Sequence, residues 1–344
     1  MNGQFVWYEL LTPDLEAARR FYSSIAGWGT QAFDQDYTMW TTGGVPFAGL
    51  FRLGPDQREQ GIPPNWMPYV ESSNIDETAR LATSLGGKVI HGPEEIPNTG
   101  RFAVIQDPQG ATFGIYKAIR PSQSWDGTPV PGRFSWHELM TTDNQKAFDF
   151  YRRLFGWEKT GEMDMGGGNM YTMFGKGKPF GGMFTRFGDM AAMQPFWLCY
   201  IYVNDLQRAF DAAKKAGAVV QRPPMDIPGG RIAILGDPQG AAFALHQSTE
   251  QAAATKPAAK TARKAASRPK AKAAAKKSRP KAESAAKKRP AAKERPAAKK
   301  RSAAKKRPVA KKRSAAKKRP AAKKRSAAKK SARRPGAKPK RGRR

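Results

Sequence analysis

Along the first 250 residues the apolar positions switch between an alternating, strand-like spacing and a helical one, twice over. Phe5–Leu11 and Phe134–Met140 are rich in aromatic and branched side chains and bounded by turn formers, which predicts strands. Leu15, Ala18, Phe21, Tyr22 and Ile25 then fall on one helical face, as do Ala147, Phe150, Tyr151 and Leu154. Thr12-Pro13 reads as a capping hydroxyl before a proline at the first helical position, and Thr142 with Gln145 reads as a capping box. Trp66–Val70 and Trp197–Val203 predict further strands. Helices over Ile75–Leu85 and Leu206–Ala216 follow, closed by Gly86 and Gly217 where a left-handed residue is wanted. Asp107-Pro108-Gln109-Gly110 and Asp237-Pro238-Gln239-Gly240 predict tight turns before a last strand.

This order repeats because the sequence repeats. Phe5, Trp7, Glu9, Leu10 and Asp14 recur as Phe134, Trp136, Glu138, Leu139 and Asp143, an offset of 129; the two DPQG turns lie 130 apart. A long period found only twice means tandem domains, not a solenoid. The expected organisation is a first domain over residues 1–119, a Pro/Gly-rich linker over 120–132, a second domain over 133–248 and a tail over 249–344.

The tail changes the picture through charge. The chain has 344 residues with 62 Lys+Arg and 28 Asp+Glu; residues 251–344 hold 40 of the cations and two of the acids, leaving 22 and 26 in front. A net charge of +34 is thus a near-neutral body with a polycationic end. Every Trp, Phe and Tyr precedes residue 251, so the tail has nothing to build a core with and is expected to be disordered. From Ala285 it runs in a six-residue repeat, Ala-Ala-Lys-Lys-Arg-Pro/Ser. The single cysteine, Cys199, excludes an intramolecular disulfide and fits a reducing compartment. The N-terminal residues lack the pattern of a secretory leader, and no apolar run is long enough for a membrane span.

A strand followed by T-x-D or T-P-D, a helix carrying F-Y and G-W, a mid-domain tryptophan strand and a late D-P-x-G resembles the vicinal oxygen chelate superfamily, the glyoxalase, bleomycin-resistance and extradiol-dioxygenase group. The match runs twice through residues 4–248. The resemblance implies an α+β fold of paired βαβββ modules forming open barrels around a pocket. It also implies, for the catalytic members, a divalent metal held by His, Glu or Gln. Here the corresponding positions carry Trp7, Met67 and Gly114, and Trp136, Leu198 and Ala244, which offer a metal no donor. The expectation is a protein without metal or other cofactor.

By strand alternation, Trp7 shares its face with Glu9 and Leu11, and Trp136 shares its face with Glu138 and Met140. In the resembled fold this face looks into the pocket. Tyr116 and His246 belong to the same face in the two repeats. The pocket set is therefore Trp7, Glu9 and Tyr116 in one domain and Trp136, Glu138 and His246 in the other. Glu138 and His246 could form an acid–base pair or a two-ligand metal site. Alternatively Glu9 and Glu138 pair with Arg101 and Arg231, since a buried carboxylate needs a partner. The tryptophans either stack a flat aromatic or apolar ligand or fill the pocket themselves. His137 points to the opposite face, His91 reads as a loop residue, Cys199 as an inert strand residue, and Met163, Met165, Met170 and Met173 around three glycines as a mobile loop.

For the tail, a flexible polycation binds phosphate polymers by releasing condensed counterions, and with no aromatic residue it cannot stack on bases. The expected contacts are sequence-independent and made by Lys287, Lys288, Arg289, Lys299, Lys300, Arg301, Lys305, Lys306, Arg307, Lys311, Lys312, Arg313, Lys317, Lys318, Arg319, Lys323, Lys324 and Arg325. The composition resembles linker-histone tails. Three readings follow: a small-molecule-binding protein anchored to DNA or RNA, an enzyme of the lyase or dioxygenase type, or a passive, homodimeric scaffold for DNA compaction. The expected location is cytoplasmic and nucleoid-associated, or nuclear in a eukaryote.

Overall fold

A computed structural model describes residues 3–34, 37–120 and 128–249. The expectations for the basic tail and its repeat, and for residues 121–127 of the linker, lie outside the described residues.

The first repeat runs β1 (Phe5–Thr12), α1 (Leu15–Ala26), β2 (Gly29–Ala32), β3 (Tyr37–Thr42), β4 (Val45–Arg52), α2 (Pro55–Glu59), β5 (Asn65–Glu71), α3 (Ile75–Ser84), β6 (Lys88–Ile96), β7 (Gly100–Gln106) and β8 (Thr112–Ala118). The second runs β9 (Phe134–Thr141), α4 (Asn144–Phe155), β10 (Glu158–Asp164), β11 (Met170–Lys176), β12 (Lys178–Thr185), β13 (Phe196–Tyr202), α5 (Leu206–Lys215), β14 (Val219–Ile227), β15 (Gly230–Gly236) and β16 (Ala242–Ser248). Each is a pair of βαβββ modules curled into one eight-stranded sheet, ordered β2-β3-β4-β1-β5-β8-β7-β6 and β10-β11-β12-β9-β13-β16-β15-β14. The helix crossover makes β1 parallel to β4 and β9 parallel to β12, and β1 meets β5 antiparallel where the two modules join.

The helix starts differ from the capping expected of Thr12 and Thr142. The caps are Asp14 and Asp143, whose carboxylates accept from Ala17 N and Lys146 N. A carboxylate at the turn of the first helical residues also meets the positive end of the helix, which a threonine hydroxyl cannot. Gly86 and Gly217 take positive φ, 93° and 95°, where α3 and α5 stop. The methionine-rich segment is a loop only at Met165 and the three glycines, which join β10 to β11; Met163 lies in β10, and Met170 and Met173 lie in β11, where Met163 opposes Tyr171 and Asp164 opposes Met170.

One core serves both repeats. Simple alternation would put Phe5 beside Trp7, but a register shift between them turns Phe5 to the other face. Phe5 there enters a socket made by the second repeat, stacked on His137 at 3.8 Å and edge-on to Trp197 at 5.4 Å, with Trp157 and Phe180 around it. Phe134 enters the equivalent socket of the first repeat, formed by Tyr8, Trp28, Phe47 and Trp66. The tryptophan N–H groups are exchanged as well: Trp28 Nε1 donates to Gly132 O and Trp157 Nε1 to Gly3 O, both at 2.7 Å. His137 therefore lies at the junction of the repeats. Its Nδ1 donates to Phe180 O (2.8 Å), so Nε2 accepts from Tyr8 OH (2.6 Å), and burial holds its pKa down near 3. Cys199 is fully buried in the same core, and burial pushes its thiol up.

The DPQG turns are tied across this junction. Asp107 Oδ1 accepts from the amides of Gln109, Gly110 and Ala111, while Oδ2 accepts from Tyr151 OH at 2.9 Å. Tyr22 OH reaches Asp237 Oδ2 reciprocally at 3.1 Å. Trp197 Nε1 donates to Tyr151 OH and Trp66 Nε1 to Tyr22 OH. Removing one phenol leaves a buried carboxylate oxygen without a donor. Tyr151→Phe and Tyr22→Phe are each expected to lower the unfolding free energy by about 1–3 kcal/mol, and by similar amounts, in urea denaturation.

Candidate functional site

The faces of the two sheets turned away from the shared core are concave and carry the charged residues the alternation predicts. On β1, Trp7 and Glu9 point into the first concavity; on β9, Trp136 and Glu138 point into the second. The partners of these carboxylates are phenols, not guanidinium groups. Tyr37 OH donates to Glu9 Oε1 at 2.9 Å and Tyr69 OH to Oε2 at 2.6 Å, while Trp7 Nε1 donates to Tyr37 OH at 2.8 Å. In the second repeat Tyr171 and Tyr200 bond Glu138, and Trp136 Nε1 donates to Tyr171 OH at 2.7 Å. Arg101 is instead paired with Asp76 (2.8 Å) and Glu95 (3.8 Å), and Arg231 with Asp226 (3.1 Å). Both arginines point outward to solvent-exposed acids, where a cation keeps its hydration, and the expected Glu9–Arg101 and Glu138–Arg231 pairs do not form.

Glycines make room for the phenols. A Cβ at Gly49 would collide with Tyr37, one at Gly182 with Tyr171, and one at Gly114 with the ring of Tyr69. Gly49 and Gly182 stand directly beside Glu9 and Glu138 in the parallel pairing of β4 with β1 and β12 with β9. Each ring thus lies flat over a neighbouring strand with its hydroxyl aimed at the carboxylate.

His246 and Tyr116 do not join the carboxylates. His246 opposes Tyr202, one row beyond the row of Tyr200 and Ala244, and its Nδ1 lies 2.9 Å from Ser135 Oγ. Burial lowers its pKa to about 4, so it is neutral at physiological pH. Tyr116 OH donates to Thr99 O at 3.2 Å. His91 lies in β6 and meets Glu94 at 2.8 Å, both exposed. The anticipated Glu138–His246 acid–base pair or metal pair is not assembled. Tyr37, Tyr69, Tyr171 and Tyr200 are the residues sequence reasoning missed. Their signal was a tyrosine facing a small residue on the neighbouring strand: Tyr69 opposes Gly114 and Tyr200 opposes Ala244, while Tyr37 and Tyr171 lie diagonally over Gly49 and Gly182.

Glu9 and Glu138 are half-buried residues whose carboxyls are crowded by protein. Desolvation raises both pKa values, that of Glu138 to about 7, against the lowering effect of the phenol hydrogen bonds. The second concavity is the more apolar. Met140, Tyr171 and Phe184 form one wall, and Leu198, Tyr200 and Ala244 the other, with Trp136 and Phe196 packed against both. The segment after β12 folds back over it, placing Phe187 and Met190 on the first wall. In the first repeat the position of Phe196 is Asn65, which opposes Leu11 as Phe196 opposes Met140, and α2 there buries no residue. A separate groove of about 390 Å³, on the outer side between Pro108, Gln109, Lys146, Phe150 and Arg153, is shallow and holds none of these groups.

The residues present do not fit the divalent metal implied by this fold. Each concavity offers one carboxylate already engaged by two phenols, and the Tyr69 ring covers the β8 position from which a further ligand would project. Among the described residues no group of three His, Cys, Asp or Glu could hold a metal ion.

Paired βαβββ modules, each pair curled around a concave face, define the vicinal oxygen chelate class of folds. The chain belongs to the Glyoxalase/Bleomycin resistance protein/Dioxygenase superfamily, whose model matches residues 4–115 and 133–245. It is 31% identical over 255 residues to "Putative glyoxylase CFP32" of Mycobacterium bovis, covering 71% of this chain and 95% of that one. It is 29% identical over 262 residues to the anthracycline biosynthesis protein DauV of Streptomyces sp. (strain C5), covering 72% and 94%. Among solved structures, the Mn(II)-bound glyoxalase of Novosphingobium aromaticivorans superposes with a TM-score of 0.51 at 15% identity, covering 72% of this chain and 83% of that one. The homoprotocatechuate 2,3-dioxygenase of Arthrobacter globiformis gives 0.53 at 13%, covering 72% and 80%. At such identities these structures share the fold.

The raised pKa of Glu138 has a measurable sign. Its folded value, about 7, lies above its unfolded value of 4.5, so the unfolded state loses its proton first as pH rises. Stability from this group is therefore unaffected below 4.5, falls between 4.5 and 7, and levels off above, by roughly 3 kcal/mol in all. Glu138→Gln removes that component. The variant is expected to gain stability relative to the parent as pH goes from 5 to 8, read as the difference between the two urea-denaturation profiles.

Proposed function

We propose that this chain is a two-cup small-molecule-binding protein that works without a metal and is anchored to nucleic acid by its basic tail. The observation that carries the first half is the Trp–Tyr–carboxylate–Tyr network on the floor of each concavity. It sets a reachable acidic group among aromatic and apolar walls, the combination of apolar lining and few convergent polar groups that marks ligand sites. The second cup, with Trp136, Phe196 and the fold-back of Phe187 and Met190, is the better enclosed and is assigned the tighter binding. The anchor rests on 40 cations and two acids in residues 251–344.

A second reading is favoured by the name of the mycobacterial relative: an enzyme of the superfamily, with Glu138 as an acid or base poised near neutrality. It requires turnover that Glu138→Gln abolishes, whereas the binding reading requires a stable complex and no turnover.

Two measurements test the proposal. In gel shifts with random-sequence DNA and RNA, the full chain is expected to bind with an affinity that falls steeply with salt, and a chain ending at residue 250 is expected to lose that binding. Equal binding by the two chains, or indifference to salt, would overturn the anchor. Ligand binding, followed by tryptophan fluorescence, is expected to be unchanged by EDTA and by added Mn²⁺ or Zn²⁺; metal dependence, or about one bound transition metal per cup on elemental analysis, would overturn the metal-independent site.

A further inference from the structure

The direction of the hydrogen bonds in the cups says which charge they want. An indole N–H can only donate, so the Tyr171 oxygen accepts from Trp136 and its single proton is left for Glu138. Tyr200 donates a second hydrogen bond to the same carboxyl. The first cup is wired alike, with Tyr37 accepting from Trp7 and donating to Glu9, and Tyr69 donating to the other oxygen. Every fixed donor thus points at the carboxyl, an arrangement that suits the ionised form. A carboxylate with two bonds accepted still has lone pairs to offer, and the Glu138 residue is only half-buried.

What the cups lack is the opposite charge. Among the described residues no Lys, Arg or His pairs with Glu9 or Glu138; the groups acting on Glu138 are Tyr171 from β11 and Tyr200 from β13, with Gly182 of β12 beside it. His246 of β16 is turned to Ser135. Around this unpaired carboxylate stand Trp136, Phe196, Tyr171 and Tyr200, whose ring faces attract cations.

We propose that the second cup recognises an organic cation, a protonated amine on a flat or apolar body, and that Glu138 supplies the counter-charge while Trp136 and Phe196 hold the body. The inference rests on the small-molecule reading above and adds the chemical class of the ligand. It also accounts for the raised pKa of Glu138: the carboxylate is expensive while it stands alone, and a bound ammonium would relieve it. The first cup, with Asn65 in place of Phe196, holds the same charge in a weaker aromatic wall and binds the cation less tightly.

The test uses the full chain, with protonated 2-naphthylmethylamine and its near-isosteric neutral counterpart 2-naphthylmethanol, titrated calorimetrically at about 0.15 M salt. The amine is expected to bind at least about tenfold tighter than the alcohol, and to gain about tenfold in affinity from pH 6 to pH 8 as Glu138 ionises. Glu138→Gln should lose both the preference and the pH dependence. Phe196→Asn, which installs the residue of the first repeat, should weaken the amine several-fold in a chain whose far-ultraviolet circular dichroism is unchanged; this variant keeps the question open to refutation even where Glu138→Gln misfolds. Equal or tighter binding of the alcohol, or amine binding indifferent to pH and to Glu138→Gln, would overturn the cation while leaving the cup. Binding of neither probe, or binding untouched by both Glu138→Gln and Phe196→Asn, would overturn both the cation and the small-molecule reading of this cup.

Discussion

A carboxylate placed in an apolar interior without a cation must be surrounded by donors, and this chain solves that problem four times with the same relay. An indole N–H, which can only donate, makes a tyrosine oxygen the acceptor and leaves the hydroxyl to donate its one hydrogen bond to an acid. Trp66–Tyr22–Asp237 and Trp197–Tyr151–Asp107 run across the junction of the repeats. Trp7–Tyr37–Glu9 and Trp136–Tyr171–Glu138 run within the cups. In the first pair Asp107 and Asp237 are buried and also gripped by backbone amides of a tight turn, which makes the contact structural. In the second pair the acid accepts from side chains alone and its residue is half-buried. One device thus holds acids on both sides of each sheet, in the shared core and in the cups.

Much of this was legible in the chain. The repeated strand and helix motifs, the DPQG turns and the shared face of Trp7 with Glu9 and Trp136 with Glu138 follow from local spacing, and the structure has them where spacing puts them. The partners of the acids were not legible, because Tyr37 and Tyr69 lie 28 and 60 residues from Glu9 and arrive through sheet order, which alternation does not specify. Arg101 and Arg231 recur in step with the acids, but recurrence under a duplication marks equivalence, not contact. The bulge that turns Phe5 away from Trp7 is likewise invisible to a period of two, since it is the place where that period breaks.

The repeats have also diverged at informative points. Tyr8 and His137 occupy equivalent positions yet bond to each other, so a symmetric contact has become a complementary one with a neutral imidazole as acceptor. Asn65 and Phe196 separate a more polar cup from a more apolar one. Neither change disturbs the sheets, because the first is confined to the junction and the second to a wall facing solvent or ligand.

The exchange of phenylalanine plugs has a consequence for ancestry. Each half of the chain completes its neighbour's aromatic socket in place of its own, so neither half alone has a finished interior. That is the geometry of a two-fold dimer whose protomers have been joined head to tail in one polypeptide. Once covalent, the partner's local concentration no longer depends on expression level, and the two concave faces are released to diverge separately.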